Sequence, residues 1–217
     1  MDFTFETVYE NFTKVFHDDQ IDLGDVDFFS PWGMGLACLK AVENMDKTDK
    51  ALQLPRNSDT LTYVKRMHFA EIMQELTYAS FLDRINELNI SEHDNSNIHE
   101  IMHCTFRDEF AARLESKIRR IFKTFGLTDS DEQKITALVG ELGNNVFDHN
   151  AGSWPTSVAG AIIIAQNYPT LKKVEVVVAD TGIGFLNSLK VAKPDLKNDV
   201  DAIKLGLAGV TGRVGEK

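Results

Sequence analysis

The sequence predicts an α/β (α+β) protein in which a small β-α-β-α module precedes a layer of helices on a mixed sheet. Three observations support this fold class. Strand and helix signals alternate through the first 85 residues. A long helical pattern opens at residue 129. Two apolar, strand-like runs then follow with a short turn between them, and the second run ends in an acidic residue and a glycine-rich turn.

The N-terminal module begins with an extended start and a helix from Thr7 to Phe16. Apolar and acidic side chains alternate over residues 20–29, which predicts a half-buried strand broken at Gly24. Ser30-Pro31 then predicts a helix start, because a capping hydroxyl precedes a proline at the first helical position.

That helix should continue to Asn44, and two glycines in its first turns suggest close packing against a sheet. Residues 51–55 read as a short second strand ended by proline. Asn57 opens another helix, and the helical pattern continues in pieces through residue 85. We therefore assign residues 1–88 to one small module.

Residues 89–100 form the most polar stretch and have the composition of a linker. His93, His99 and His103 occur in and just after it, but no carboxylate or cysteine cluster at ligand spacing accompanies them, so we expect a solvated loop instead of a metal site. A second domain should occupy residues 101–217.

The second domain should begin with a helix from Glu100 to Phe125, which Gly126 would end. A second helix opens at Asp129 and should pair with the first. The residues expected on its inward face are Ile135, Leu138, Val139, Leu142 and Val146. An antiparallel hairpin of residues 157–165 and 172–179 and a helix over 199–207 are predicted to follow.

Composition restricts the partners. The net charge is -10 and the pI is near 5.0, which argues against non-specific binding to nucleic acid or to an anionic membrane. Cys38 and Cys104 show no CxxC spacing and are predicted to be buried, reduced thiols. No signal peptide and no apolar run near the ~20 residues of a membrane span are visible, so we expect a cytoplasmic protein.

The long helix from residue 129 carries an unusual polar row. Glu141, Asn145 and His149 are spaced four apart, so they stack on one side of a helix beside the apolar stripe. About 30 residues later, a strand ends in Asp180-Thr-Gly182-Ile-Gly184. A carboxylate there can accept a hydrogen bond at a sheet edge, and the glycines allow positive φ and a close backbone approach.

The order of these motifs resembles the GHKL (Bergerat-fold) ATPases, the family of DNA gyrase, the histidine kinases and the anti-sigma-factor serine kinases. Glu141 and Asn145 look like its N box, and Asp180, Gly182 and Gly184 look like its G1 box. The His149-Asn150 ending is most similar to the anti-sigma-factor kinases. The resemblance covers about residues 100–217 and implies a Bergerat-type sandwich of helices on a mixed sheet.

The resemblance also implies roles for these residues. Asn145 would bind the Mg²⁺ that bridges the phosphates of ATP, and Glu141 would be the catalytic base. Asp180 would accept from the adenine amine. His149 would line the phosphate or ribose side, and Arg213 would contact a phosphate. The family's second glycine-rich box is not in the sequence, which indicates a truncated piece or an incomplete site.

Three functions remain open. The chain is either an ATPase or protein serine/threonine kinase that uses Mg²⁺ and ATP, or a non-catalytic module whose ATP or ADP occupancy controls a protein partner, or a nucleotide-free scaffold. The first two functions would involve a phosphoryl acceptor or a protein partner, and both are compatible with a homodimer. A sensor histidine kinase is a minor option, because His103 has no acidic neighbour directly after it.

The N-terminal module, over about 60 residues, resembles STAS-like modules of bacterial regulatory proteins.

Overall fold

The computed structural model describes residues 1–44, 52–75, 96–150, 154 and 158–210. Within them the chain mixes helices and strands, which confirms an α+β class. The predicted helical pieces after residue 75, most of the predicted linker and Arg213 lie outside the described residues.

Among its described residues, the N-terminal part contains five short strands and four helices. They are β1 (Asp2–Phe3), α1 (Val8–Val15), β2 (Phe16–His17), β3 (Gln20–Asp22), β4 (Phe28–Phe29), α2 (Pro31–Glu43), β5 (Leu52–Gln53), α3 (Ser58–Arg66) and α4 (Phe69–Glu75). Strands β1 and β4 pair in parallel, whereas β3 lies between an antiparallel β2 and a parallel β5. The strand predicted over residues 20–29 is therefore two strands in two different sheets.

The helix starts predicted at Ser30 and Asn57 are both present, and both residues cap their helices. The Ser30 hydroxyl accepts a hydrogen bond from the Gly33 amide at 3.2 Å, at the start of α2. The Asn57 side chain accepts from the amide of Asp59 at 2.9 Å, which begins α3. These local signals were sufficient because a cap depends only on residues within one turn.

The C-terminal part is organised around a three-stranded sheet. Its elements are β6 (Ile98–Cys104), α5 (Arg107–Arg113), a π-helical turn (Leu114–Ile118), α6 (Arg119–Phe125), α7 (Asp129–Asn150), β7 (Ala161–Tyr168), a 3₁₀ turn (Pro169–Leu171), β8 (Lys173–Asp180), α8 (Gly184–Lys190) and α9 (Asp199–Leu207). The strand order is β6-β7-β8, and both pairings are antiparallel. Over the described residues, parallel pairing occurs only in the small N-terminal sheets, so the mixed C-terminal sheet that we expected is antiparallel here.

The helix predicted from Glu100 to Phe125 is wrong in its first part. Residues 98–104 form β6, which pairs with β7, and the helix begins only at Arg107. Ile98 and Ile101 are buried in one hydrophobic core and Cys104 in the other. His99 is also fully buried, not part of a solvated loop, and residues 98–100 of the predicted linker belong to the strand. Tertiary packing overrides the polar composition at this position.

The predicted hairpin is confirmed, with a shift of a few residues. The register of β7 and β8 runs from Ala161 opposite Asp180 to Tyr168 opposite Lys173. The first strand starts later than expected, directly after Gly160, which has φ +120° and where an added Cβ would overlap the carbonyl oxygen of Cys104.

The central strand of the sheet, β7, is buried on both faces. Ile162 and Ile164 of β7 pack into a core that includes the N-terminal residues Phe29 and Met34. Ile163, on the opposite face, packs into a second core with the helices of the C-terminal part. A Cβ added at Gly35 of α2 would lie 3.0 Å from Val177 of β8, so α2 packs closely on the sheet as expected. The predicted N-terminal module thus shares one core with the sheet of the second domain.

Helix α7 packs against α5 and α6 as predicted, but its inward face differs from the predicted stripe. Val139 and Val146 are buried, whereas Leu138 is 60% exposed and Leu142 is 49% exposed. The buried positions are Glu132, Thr136, Val139, Gly143, Val146 and Asn150. The face is rotated because Gly143, which has no side chain, receives the ring of Phe110 from α5.

Glu132, at the start of this buried face, is only 3% exposed and forms an ion pair with Arg119 of α6. The Arg119 guanidinium donates to both carboxylate oxygens, at 2.5 and 3.2 Å. This pairing lowers the pKa of Glu132.

Among the described residues, no helix combines the length and apolar character that crossing a bilayer requires.

Candidate functional site

A cavity of about 340 Å³ lies where the C-terminal half of α7 meets the end of β8 and the helices α8 and α9. Its lining is mostly apolar, with a few polar groups. The lining residues are Leu142, Asn145, Val146, His149, Asn150, Val178, Asp180, Ile183, Gly184, Phe185, Ser188, Leu189, Gly206 and Val210. Apolar walls with a few polar groups are typical of small-molecule sites.

Four of the predicted site residues line this cavity. Asn145 and His149 reach it from α7, Asp180 from the end of β8, and Gly184 from the start of α8. Asn145 is exposed and His149 is half-buried. Asn145 and Asp180 are 35 residues apart in the sequence. They line one cavity because the hairpin of β7 and β8 returns the chain to α7.

Three predicted residues are not in the lining. Glu141 is exposed on α7, one turn before Asn145. Gly182 packs against the Asn150 amide of α7 and is not in the lining. Arg213 lies outside the described residues, so the structure leaves its predicted phosphate contact untested.

The two carboxylate oxygens of Asp180 differ in their hydrogen bonds. Oδ1 accepts hydrogen bonds from the Gly182 amide at 2.8 Å and from the Asn150 side chain at 3.3 Å. Among the described residues, none donates a hydrogen bond to Oδ2. One oxygen is therefore engaged by the protein, and the other remains available as an acceptor.

Gly182 and Gly184 of the turn are glycines for different physical reasons. Gly184 has φ +71°, which favours glycine. A Cβ at this position would meet no other atom, so the backbone conformation and not the available space explains the glycine. Gly182 does not have a positive φ, and a side chain at this position would overlap the amide group of Asn150. Of the two properties that the glycines allow, Gly184 shows the positive φ, and Gly182 permits a close approach, here of the turn to α7.

Asn150, the last residue of α7, is a part of the site that we did not predict. It is only 3% exposed. Its Nδ2 donates to the Val146 carbonyl at 2.7 Å and to Asp180, and its Oδ1 accepts from the Ile183 amide at 2.8 Å. One signal could have indicated it: Asn150 continues the buried series of α7 four residues after Val146, where an amide needs a partner.

Ser188 is a second residue that sequence reasoning missed. Its hydroxyl lies 3.0 Å from Nδ1 of His149 and joins α8 to the last turn of α7. The residue is in the cavity lining together with His149. No motif spacing indicated Ser188, because its partner lies 39 residues earlier in the chain.

The charge of the lining is low. Asp180 is the one acidic residue among the described lining residues, and no lysine or arginine occurs among them. Arg107 pairs with Asp148 of α7, and neither residue is part of the lining. The described part of the cavity thus provides apolar walls and acceptors, but no cation for a phosphate.

The donor set can be tested for Mg²⁺ and ATP. Asn145 offers one hard oxygen ligand, and Mg²⁺ keeps several waters and phosphate oxygens beside one or two protein ligands. In the ranges that the structure describes, no group of three or more His, Cys, Asp or Glu residues could hold a metal ion. The residues therefore fit a Mg²⁺ ion that a nucleotide brings with it, and do not form a cage for a free ion.

Comparison with known proteins adds no family assignment. No family model, no curated protein and no solved structure matches the chain.

Proposed function

We propose that the chain binds Mg²⁺·ATP in the cavity between α7 and β8, as the ATP-binding part of a GHKL-type ATPase or protein serine/threonine kinase. The observation that carries the proposal is that Asn145 and Asp180 line one cavity with apolar walls. The adenine ring would lie between those walls, with its exocyclic amine donating to Asp180. Asn145, exposed on α7, would be a ligand to the metal on the phosphate side.

The chemistry would divide between the metal and the chain. When bound, Mg²⁺ would neutralise charge on the phosphates. Glu141 lies one turn from Asn145, about 6 Å along the helix axis, and its exposed carboxylate would accept the proton of an attacking water or hydroxyl. His149, held by Ser188, would line the ribose or phosphate side.

A second candidate function is a non-catalytic module in which ATP or ADP occupancy controls binding to a protein partner. The observation that favours it is the position of Glu141, which is exposed and outside the cavity lining. A nucleotide-free scaffold is the third outcome that the experiments must separate.

Calorimetry of the 217-residue chain with Mg²⁺·ATP tests the binding proposal. We expect binding by the wild type and a loss of at least about tenfold in affinity for Asp180→Asn, since a carboxylate hydrogen bond contributes about 1.5–3 kcal/mol. Asp195→Asn is the matched control, because Asp195 is exposed and outside the lining. Absence of binding by the wild type would leave only the scaffold.

Turnover separates the enzyme from the switch. Phosphate release, and phosphorylation of any added protein acceptor, should fall by about 10²- to 10⁴-fold in Glu141→Gln while ATP affinity stays near the wild-type value. Asp129→Asn, an exposed change in the first turn of the same helix, is the control. Turnover that survives Glu141→Gln contradicts the assignment of the base.

A further inference from the structure

Asp180 accepts a hydrogen bond from a residue of another element. Its Oδ1 atom receives two donors, the Gly182 amide at 2.8 Å and the Asn150 Nδ2 atom at 3.3 Å. The first donor comes from the same turn, whereas the second comes from the end of α7, 30 residues earlier. A carboxylate held at one oxygen by donors from two elements has lost the rotation that would exchange its two oxygens.

Asn150 is itself fixed in place. Its amide group makes hydrogen bonds to Val146 and Asp180 through Nδ2 and to Ile183 through Oδ1, and the residue is 3% exposed. Gly182 passes so close to this amide that any side chain there would overlap it. The Asn150 amide therefore connects α7 to both sides of the turn that carries Asp180, and a small displacement of it must displace the carboxylate or the turn.

We propose that Asn150 is a positioning residue that orients Asp180, and that this contact determines the selectivity of the cavity for a base with an exocyclic amine. The proposal rests on the function proposed above and extends it to base selection. With Oδ1 engaged, Oδ2 is the oxygen left to accept a hydrogen bond from a ligand. An amino group at that place donates to it, whereas a carbonyl group at the same place meets a negative charge without a hydrogen bond.

Loss of the Asn150 contact should change the affinities of two nucleotides by different amounts, and not only weaken binding in general. Asn150→Ala removes the Nδ2 donor, so the Asp180 side chain gains rotational freedom and the oxygen that faces the ligand is no longer fixed. ATP should then bind about five- to tenfold more weakly. Purine riboside triphosphate, which lacks the exocyclic amine, should lose much less, so the ratio of the two affinities should fall towards one.

Gly182→Ala tests the same contact without changing either polar side chain. The added methyl group displaces the Asn150 amide from its place against the turn. It should lower the affinity ratio in the same direction as Asn150→Ala, and it keeps the test decisive if Asn150→Ala does not fold. Asn187→Ala is the matched control, because Asn187 is an exposed amide that donates to the Ile183 carbonyl at 3.0 Å and is outside the lining.

A measurement without ligand separates the two proposals. Amide hydrogen exchange of Ile183, which donates to Asn150 at 2.8 Å, should be slow in the wild type and fast in Asn150→Ala. A wild type that binds no ATP overturns the proposed function and base selection together, whatever the exchange result. A wild type that prefers ATP to purine riboside triphosphate, with the same preference in both variants, overturns the role of Asn150 alone.

Discussion

Nδ1 of His149 lies 3.0 Å from Oγ of Ser188, so the last turn of α7 is joined to α8 across the candidate nucleotide cavity. Both residues line the cavity. A single hydroxyl thus holds the imidazole in one orientation toward any ligand, and this arrangement leads to the first prediction.

Ser188→Ala should weaken Mg²⁺·ATP binding by about two- to tenfold in titration calorimetry, because the imidazole of His149 loses its hydrogen-bond partner. Ser130→Ala, an exposed change at the other end of α7, should leave the affinity unchanged. Equal affinities of Ser188→Ala and the wild type would show that His149 needs no such orientation.

A pair of glycines in α7 should respond to alanine in opposite ways. A Cβ at Gly143 would overlap the ring of Phe110, so Gly143→Ala should lower the free energy of unfolding by about 1–3 kcal/mol. A Cβ at Gly140 would make an ordinary contact, 3.4 Å from Leu114. Gly140→Ala should therefore raise the free energy of unfolding by about 0.5–1 kcal/mol through helix propensity.

Urea denaturation of the two variants measures both changes. The midpoint should shift down for Gly143→Ala and up for Gly140→Ala, with the slope against urea unchanged. A stabilised Gly143→Ala would mean that Phe110 does not pack over this position of α7.

Stability should fall in mild acid because of His99. Burial lowers the pKa of His99 below its usual value of 6.5, and the residue is fully buried in β6. Below pH 6.5 the unfolded chain binds a proton that the folded chain does not, so the free energy of unfolding decreases as the pH falls toward the lowered pKa. The slope can reach about 1.4 kcal/mol per pH unit for one proton.

Chemical denaturation between pH 7 and pH 5 measures this slope. His99→Asn keeps a donor near the position of Nδ1, which lies 2.6 Å from the Glu100 carbonyl, and removes the titration. Its stability should vary less with pH than that of the wild type. His17→Asn, an exposed change in β2, should keep the wild-type slope, and a wild-type slope in His99→Asn would exclude His99 as its source.

The two thiols should be unreactive in the folded protein. Cys38 and Cys104 are free and buried, as the sequence predicts. Burial raises the pKa of both thiols, that of Cys104 to about 11, so the thiolate population near pH 8 is very small. A disulfide reagent should modify them at the rate of unfolding, and fast modification without denaturant would contradict the buried positions.

The elements that the sequence predicts well are those with local causes. The caps of α2 and α3, the hairpin of β7 and β8 and the helix α9 all depend on residues within a few positions of one another. The errors occur where distant contacts decide. Sequence patterns assign residues 98–104 in part to a polar linker and in part to a helix. They form strand β6 because β7 provides hydrogen-bond partners and the core buries His99.

The same division holds within the candidate site. The sequence by itself determined the polar row of α7 and the turn after Asp180, because helix periodicity and glycine spacing are local properties. Only the tertiary structure decided which side chains meet. It placed Asn150 against Asp180 and Ser188 against His149, and it left Glu141 outside the cavity lining. Contacts over 30 residues or more depend on how the sheet returns the chain to α7, which no local pattern specifies.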